Sequence, residues 1–238
     1  MVKQIVFAEL ARIGMALASP KRLELIDLLC QVEYSVEDLS AAVGASVAAT
    51  SHHLQVLKRA RLVSTKQEGH RIFYRVNAKV PELWKSLSVA GDENLAEIGA
   101  VMSAFLRDET SFTGVSARVL LRKVRAGEVL LLDVRPVEEY ESAHFPGAIS
   151  MPVEELGTKL NTLPKGKEIL AYCRGPYCLL SHSAVEQLRS KGFRAKRWLS
   201  GPPEWITDGI RIERSLGRPG NRTAPVRLRT NRSATKHR

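Results

Sequence analysis

The sequence contains few cysteines and no long apolar run. These two features argue against a disulfide-stabilised protein and against a membrane-spanning protein. Three cysteines, Cys30, Cys173 and Cys178, are too few for a disulfide framework in 238 residues, so any that function act as thiols. No window approaches the ~20 uncharged apolar residues that a membrane span requires. Glu9 and Arg12 interrupt the stretch where a signal peptide would need its apolar core. We therefore expect a cytoplasmic protein without a membrane partner.

Acidic residues are absent from the last part of the chain. Residues 214–238 carry eight Lys and Arg side chains, which account for most of the formal net charge of +11. Because this tail is also poor in apolar residues, we predict that it is disordered and contacts nucleic acid nonspecifically through its charge. The rest of the chain has the composition of a globular protein and is long enough for two small domains.

Helical periodicity and turn residues divide the remainder into two predicted domains. Residues 1–95 predict short amphipathic helices, a helix-turn-helix unit whose second helix covers residues 47–59, and a β-hairpin that turns at Gly69. Residues 96–114 predict a helix and a linker, with the apolar period placing that helix over residues 92–107. Residues 115–213 alternate apolar strands with helices, which is typical of a parallel sheet covered on both faces. The predicted fold class is a mainly α winged helix-turn-helix domain followed by an α/β domain.

The helix predicted over residues 47–59 has one polar side that suits DNA. Thr50, Leu54 and Leu57 form its apolar stripe, so the opposite side faces outward. We expect that side to reach base edges in a major groove, while basic residues at the helix end and on the hairpin contact phosphates. The candidates for base contacts are Ala48, Ala49, Ser51, His52 and Gln55, and those for phosphate contacts are Lys58, Arg59, Lys66, Arg71 and Arg75.

Three segments of the first 95 residues together resemble the ArsR/SmtB family of winged helix-turn-helix repressors. They are LASPKRLEL (17–25), SHHLQVLKRARLV (51–63) and GHRIFYRV (69–76). The resemblance implies a homodimer that reads a palindromic operator in double-stranded DNA with two recognition helices. Metal-sensing members carry two cysteines at the start of the third helix, where this chain has EYSVEDL (33–39). Because both thiolate ligands are missing, we predict no metal site there.

A second candidate site lies in YCRGPYCLLS (172–181), which leaves a predicted buried strand and enters a helix. A cysteine at such a junction faces backbone N–H groups and the positive end of a helix dipole, and both lower the pKa of a thiol. Arg174 adds a nearby cation, and Gly175, Pro176 and Tyr177 complete a tight loop around the sulfur. We therefore predict that Cys173 is a nucleophile.

Together with LDVR (132–135), HFPGAI (144–149) and GPPEW (201–205), this loop resembles a single-domain rhodanese over roughly residues 115–213. The resemblance implies that Cys173 accepts sulfur from a sulfane-sulfur donor, forms a persulfide and passes the sulfur to a thiol acceptor, with no cofactor. Arg174 would then help to bind an anionic donor. Asp133, Arg135 and His144 are assigned to scaffolding, because a charged residue at a strand end more often caps than catalyses.

Phosphoryl transfer is disfavoured by the residue six positions after Cys173. Phosphate-handling relatives place an Arg there, where its guanidinium clamps a phosphate in a bidentate manner. That position is Leu179 in this chain. The loop therefore fits sulfur chemistry better than phosphate chemistry.

Two questions stay open at the level of the sequence. Cys178 is either a resolving thiol that attacks a persulfide on Cys173, or the first residue of the following helix with its side chain turned inward. The whole chain is either a DNA-binding regulator that responds to reactive sulfur species, or a sulfurtransferase whose DNA-binding domain serves autoregulation only. Fusion of the two modules favours the regulator, and we expect this regulator to retain the chemistry of a rhodanese-type sulfurtransferase.

Overall fold

The computed structural model describes residues 1–105, 111–112, 115–207 and 209–215. Residues 216–238, which hold most of the predicted basic tail, lie outside the described residues, and so does the end of the helix predicted to reach residue 107. Within the described ranges, no helix is long and apolar enough to cross a membrane.

The N-terminal part consists of helices and a small antiparallel sheet. Ser35 and Ser46 fix the starts of the third and fourth helices, because each side chain accepts a hydrogen bond from a backbone N–H in the first turn. Gly44 ends the third helix in the left-handed conformation, with φ 65°, so the turn to the fourth helix is tight. The elements in chain order are α1 (Val2–Leu17), α2 (Pro20–Leu29), β1 (Tyr34–Ser35), α3 (Val36–Val43), α4 (Val47–Arg59), β2 (Val63–Glu68), β3 (Arg71–Val76), α5 (Val80–Asn94) and α6 (Ala96–Phe105).

The hairpin of β2 and β3 forms the wing, and the short strand β1 pairs with β3 on its other side. In this antiparallel register Tyr34 lies opposite Tyr74, and Ser35 lies opposite Phe73. The apolar faces of α2, α3 and α4 bury Leu25, Leu39, Leu54 and Leu57 in one core. The predicted winged helix-turn-helix domain is confirmed, while β1 was not predicted because two residues are too few to show a pattern.

The helix predicted over residues 92–107 is wrong in its extent. The structure has two helices there, since α5 begins at Val80 and ends at Asn94, and Leu95 has the extended values φ −111° and ψ 100° before α6 begins. Pro81 suits the first turn of α5, where its missing N–H is not needed. The apolar period continues on both sides of Leu95, so periodicity alone does not detect a one-residue break.

The C-terminal part is a five-stranded parallel sheet with helices on both faces. Its elements are β4 (Ser111–Phe112), α7 (Ala117–Arg125), β5 (Val129–Asp133), α8 (Val137–Ser142), β6 (Ile149–Ser150), α9 (Val153–Lys159), a 3-10 turn (Leu160–Thr162), β7 (Glu168–Tyr172), α10 (Leu180–Ser190), β8 (Arg194–Trp198) and α11 (Pro202–Thr207). The strand order is β4-β8-β7-β5-β6, and every pairing in this sheet is parallel. The predicted α/β class is confirmed.

Two details of this sheet bear on the site. The segment predicted as a linker contributes the edge strand β4, which pairs with β8. The central strands β5 and β7 run side by side, with Asp133 opposite Tyr172, so the loops that follow them leave the same edge of the sheet. Apolar clusters cover both faces of these strands. Residues just after β5 and β7 therefore lie close together.

Candidate functional site

Cys173 follows β7 directly, and its side chain is 1% exposed. Its Sγ atom lies 3.2 Å from the Ser181 hydroxyl and 3.5 Å from the carbonyl oxygen of Cys178. Burial disfavours the thiolate, but hydrogen bonds from the Cys178 thiol, from the hydroxyl and N–H of Ser181 and from the N–H of Gly175 outweigh it and lower the pKa of Cys173 to about 7. Such a thiol is substantially ionised at neutral pH and suits a nucleophile.

Cys178 is a half-buried thiol at the other end of the loop. Burial raises its pKa, and the hydrogen bond to Cys173 and the charge of that neighbour raise it further, so Cys178 stays protonated while Cys173 ionises. It does not begin the helix, because α10 starts at Leu180; its N–H donates to the carbonyl oxygen of Gly175 at 3.3 Å. The structure thus brings the two predicted thiols together within the loop, and the role of Cys178 as a resolving thiol stays a prediction.

The Arg174 guanidinium is held by a buried carboxylate. Its Nε donates to both oxygens of Glu139 at 3.0 and 3.1 Å, and its Nη2 donates to Oε1 at 2.7 Å. The side chains of Arg174 and Glu139 are 10% and 0% exposed. The charge of Arg174 is therefore compensated within the protein, and its role in binding an anionic donor stays a prediction.

A second buried arginine ties the end of β5 to its surroundings. Arg135 forms a bidentate pair with Asp133, at 2.9 Å from Nε and 2.6 Å from Nη2, and also donates to the carbonyl oxygen of Ala143 at 2.7 Å. The Tyr172 hydroxyl donates to the same carboxylate at 2.6 Å. These contacts agree with a scaffolding role for Asp133 and Arg135. His144 is also buried, and its ring stacks on Tyr140.

Two buried side chains of the winged helix domain reach this network. The Tyr34 hydroxyl donates to Oε1 of Glu139 at 2.6 Å. The Gln31 side chain accepts from Nη1 of Arg135 at 3.0 Å and donates to the carbonyl oxygen of Arg174 at 3.2 Å. The sequence does not indicate these contacts, because the partners of Gln31 and Tyr34 are more than 100 positions away. The Cys173 loop is therefore part of an interface between the two domains.

The GPPEW segment packs against the same loop. A Cβ atom at Gly201 would lie 2.1 Å from the carbonyl oxygen of Arg174, so the loop leaves room for glycine only. The N–H of Gly201 donates to Glu204 at 2.7 Å, and burial raises the pKa of Glu204 to about 7. The segment therefore packs directly against the backbone of the loop residue that follows Cys173.

The predicted DNA-contacting residues lie on α4 and on the wing. On α4, Thr50, Leu54 and Leu57 are buried as predicted, and the Lys58 ammonium donates to the Thr65 hydroxyl of β2 at 3.0 Å. The Ser51 side chain is half-buried. The other nine candidates are exposed: Ala48, Ala49, His52, Gln55, Lys58, Arg59, Lys66, Arg71 and Arg75.

Comparison with known proteins assigns both halves of the chain. Residues 19–65 match the family described as "Bacterial regulatory protein, arsR family", and residues 116–205 match "Rhodanese-like domain". The HTH-type transcriptional regulator Rv0324 of Mycobacterium tuberculosis is 38% identical over 212 residues, which cover 89% of this chain and 93% of that protein. The chain belongs to the ArsR family of transcriptional regulators. Its C-terminal half is a rhodanese-like domain.

Two further relatives match part of this ArsR-family regulator. The "Putative sulfur carrier protein YrkF" of Bacillus subtilis is 31% identical over 105 residues, covering 40% of the regulator and 56% of that protein. A solution NMR structure of the homodimeric winged helix-turn-helix DNA-binding domain of Mb0332 from Mycobacterium bovis is 38% identical, with a TM-score of 0.38. The matched region covers 39% of the regulator and 87% of the chain in the NMR structure.

Proposed function

We propose that this regulator senses reactive sulfur species by forming a persulfide on Cys173, and that the persulfide changes its affinity for DNA. We propose further that it acts as a homodimer on a palindromic operator. The observation that carries the proposal is the pair of buried hydrogen bonds by which Gln31 and Tyr34 connect the winged helix domain to Arg135 and Glu139 beside the Cys173 loop. A sulfurtransferase that needed DNA binding only for autoregulation would not require them.

The chemical step requires no reagent besides the sulfur donor. The Cys173 thiolate attacks the outer sulfur of a hydropersulfide, R–S–SH, and a bond forms between the two sulfur atoms. The S–S bond of the donor breaks, and the thiolate R–S⁻ leaves with the electron pair, so that Cys173 carries the –S–SH group. If the Cys178 thiol then attacks Cys173 Sγ, a disulfide forms and hydrogen sulfide leaves.

The proposed route to DNA starts at Arg174, the residue that follows Cys173. An added sulfur atom must be accommodated in a loop whose thiol is already buried, so the position of Arg174 against Glu139 changes. Glu139 binds Tyr34, which lies on β1 beside the wing strand β3. The next residue, Ser35, accepts from Nη2 of Arg71 at 2.8 Å, and Arg71 is a predicted phosphate contact. Allosteric coupling of this kind is typically about 1–3 kcal/mol.

The decisive experiment measures DNA affinity by fluorescence anisotropy on the DNA upstream of the regulator's own gene. Reduced protein is compared with protein treated with polysulfide, and Cys173→Ser is the control that cannot load sulfur. We expect a shift of about tenfold, or 1.4 kcal/mol, in the wild-type protein and none in Cys173→Ser. An unchanged affinity after mass spectrometry has verified the persulfide would overturn the proposal.

The lowered pKa of Cys173 favours a second candidate function, sulfur transfer to an acceptor thiol. Steady turnover with a sulfane-sulfur donor and a small thiol, lost in Cys173→Ser, would support an enzyme. Loading that stops after one sulfur per chain would support a sensor alone. The two functions are compatible, since both pass through the same persulfide.

A further inference from the structure

A cavity of about 240 Å³ lies between the two domains and adjoins the Cys173 loop. One wall comes from α2 and α3 and includes Glu24 and Asp27, and the opposite wall comes from the loop and includes Arg174, Tyr177 and Cys178. The cavity is smaller than the roughly 300–1,000 Å³ of clefts that hold drug-sized ligands. It therefore suits a small molecule.

Cys178 is the thiol of the loop that faces this cavity. It belongs to the cavity lining, whereas Cys173 lies behind it with 1% of its surface exposed. Tyr177 fixes the loop from the other side, because its hydroxyl lies 3.2 Å from the carbonyl oxygen of Ser88 on α5 and 3.3 Å from Asp92. A donor that crosses the cavity thus arrives beside Cys178, whose thiol is hydrogen-bonded to Cys173.

The charges around the cavity work against a doubly negative donor. Of the described residues that line it, Arg174 is the only Lys or Arg, and its guanidinium is already paired with Glu139. Two carboxylates, Glu24 and Asp27, face the same space. The nearby Lys21 ammonium is bound to Glu24 and to the carbonyl oxygen of Val43, at 2.8 Å each. An anion with two charges would lose its hydration there without gaining an unpaired cation.

We propose that this cavity between the domains is the access route for the sulfur donor, and that it selects small hydropersulfides with a neutral or cationic substituent over thiosulfate. The proposal rests on the proposed function and names the substrate class of its site. It also assigns a specificity role to Glu24 and Asp27, two residues of the winged helix domain. Thiosulfate, a sulfane-sulfur donor with two negative charges, therefore reacts slowly with this regulator.

The test measures the rate at which one sulfur atom is added to the full-length protein, followed by mass spectrometry. The donors are aminoethyl hydropersulfide, ethyl hydropersulfide, glutathione hydropersulfide and thiosulfate. We expect rates to fall in that order, with at least about tenfold between the first and the last. The loading rate of each donor is divided by its rate of reaction with a small free thiol. The order of these normalised rates then reflects selection by the cavity and not the intrinsic reactivity of the donors.

The variant Glu24→Gln removes one carboxylate from an exposed position, and Glu155→Gln, on α9 of the other domain and outside the cavity lining, is the matched control. We expect Glu24→Gln to raise the normalised rate with thiosulfate about threefold or more and to leave that with ethyl hydropersulfide unchanged. Asp27→Asn, which keeps an acceptor for the Trp84 N–H, should act in the same direction.

Equal normalised rates for all donors, or no effect of Glu24→Gln and Asp27→Asn on the thiosulfate rate, would overturn the access route. Neither result would contradict the proposed function. That function is tested by the DNA affinity of the persulfidated protein, whichever donor supplied the sulfur. Conversely, the loading rate could depend on the charge of the donor while DNA affinity does not change. This result would support the access route and overturn the proposed sensing function.

Discussion

The Tyr34 hydroxyl and the Glu139 carboxylate meet at 2.6 Å, across the interface between the winged helix domain and the rhodanese-like domain. The same oxygen, Oε1, accepts from Nη2 of Arg174 at 2.7 Å. Glu139 is fully buried and Tyr34 is 2% exposed. A carboxylate in this position is stable only while its hydrogen-bond donors are present, so Glu139 links Arg174 of the Cys173 loop to Tyr34 of the winged helix domain.

We predict that Tyr34→Phe uncouples sulfur loading from DNA binding. The variant removes the donor and leaves the ring, and losing a hydrogen bond to a buried charge should destabilise the protein by about 2 kcal/mol. The sulfur-dependent shift in DNA affinity should fall from about tenfold to less than about threefold. Tyr140→Phe is the matched control, because its hydroxyl binds a carbonyl oxygen within the rhodanese-like domain. If Tyr34→Phe retains the full shift, the route through Glu139 is excluded.

We predict that Ser181→Ala raises the pKa of Cys173 from about 7, because burial already disfavours the thiolate and the Ser181 hydroxyl is one of the donors that stabilise it. The thiolate fraction at pH 7 then decreases, and alkylation by iodoacetamide should slow about threefold or more, with its pH midpoint moving to higher pH. Ser190→Ala, at an exposed position of the same helix, is the control. An unchanged midpoint in Ser181→Ala would show that the Cys178 thiol and the backbone N–H groups stabilise the thiolate without the Ser181 hydroxyl.

Much of this fold follows from periodicity, but the interface does not. The apolar stripe of α4 is a local pattern, and α4 covers Val47–Arg59, the range predicted from the sequence. Gln31 and Tyr34 act through partners that are distant in sequence, and a single polar side chain gives no local signal of such a partner. The pairing of Arg174 with Glu139 was missed for the same reason, since the sequence places a cation beside the thiol without showing which anion holds it.

We predict that Asp133→Asn destabilises the rhodanese-like domain by about 3 kcal/mol or more. The change leaves Arg135, which is fully buried, without its bidentate partner, and breaking a buried ion pair typically costs about 3–5 kcal/mol. Glu128→Gln breaks an exposed pair with Lys123 and should cost less than about 1 kcal/mol. Urea denaturation followed by the fluorescence of Trp198 and Trp205, which stack in this domain, measures both. Equal midpoints for the two variants would contradict the structural role of Asp133.

We predict that Lys58→Ala weakens DNA binding equally for operator and unrelated DNA. Lys58 is exposed at the end of α4 and its ammonium bridges to Thr65 on the wing, a position that suits a phosphate rather than a base edge. Each lost phosphate contact should reduce the slope of log affinity against log salt concentration by about 0.9, and a dimer would lose twice that. Lys159→Ala, on α9 of the rhodanese-like domain, removes the same charge away from the proposed interface and should leave the slope unchanged. A loss of affinity restricted to the operator would instead assign Lys58 to base recognition, and an unchanged slope would place it outside the DNA interface.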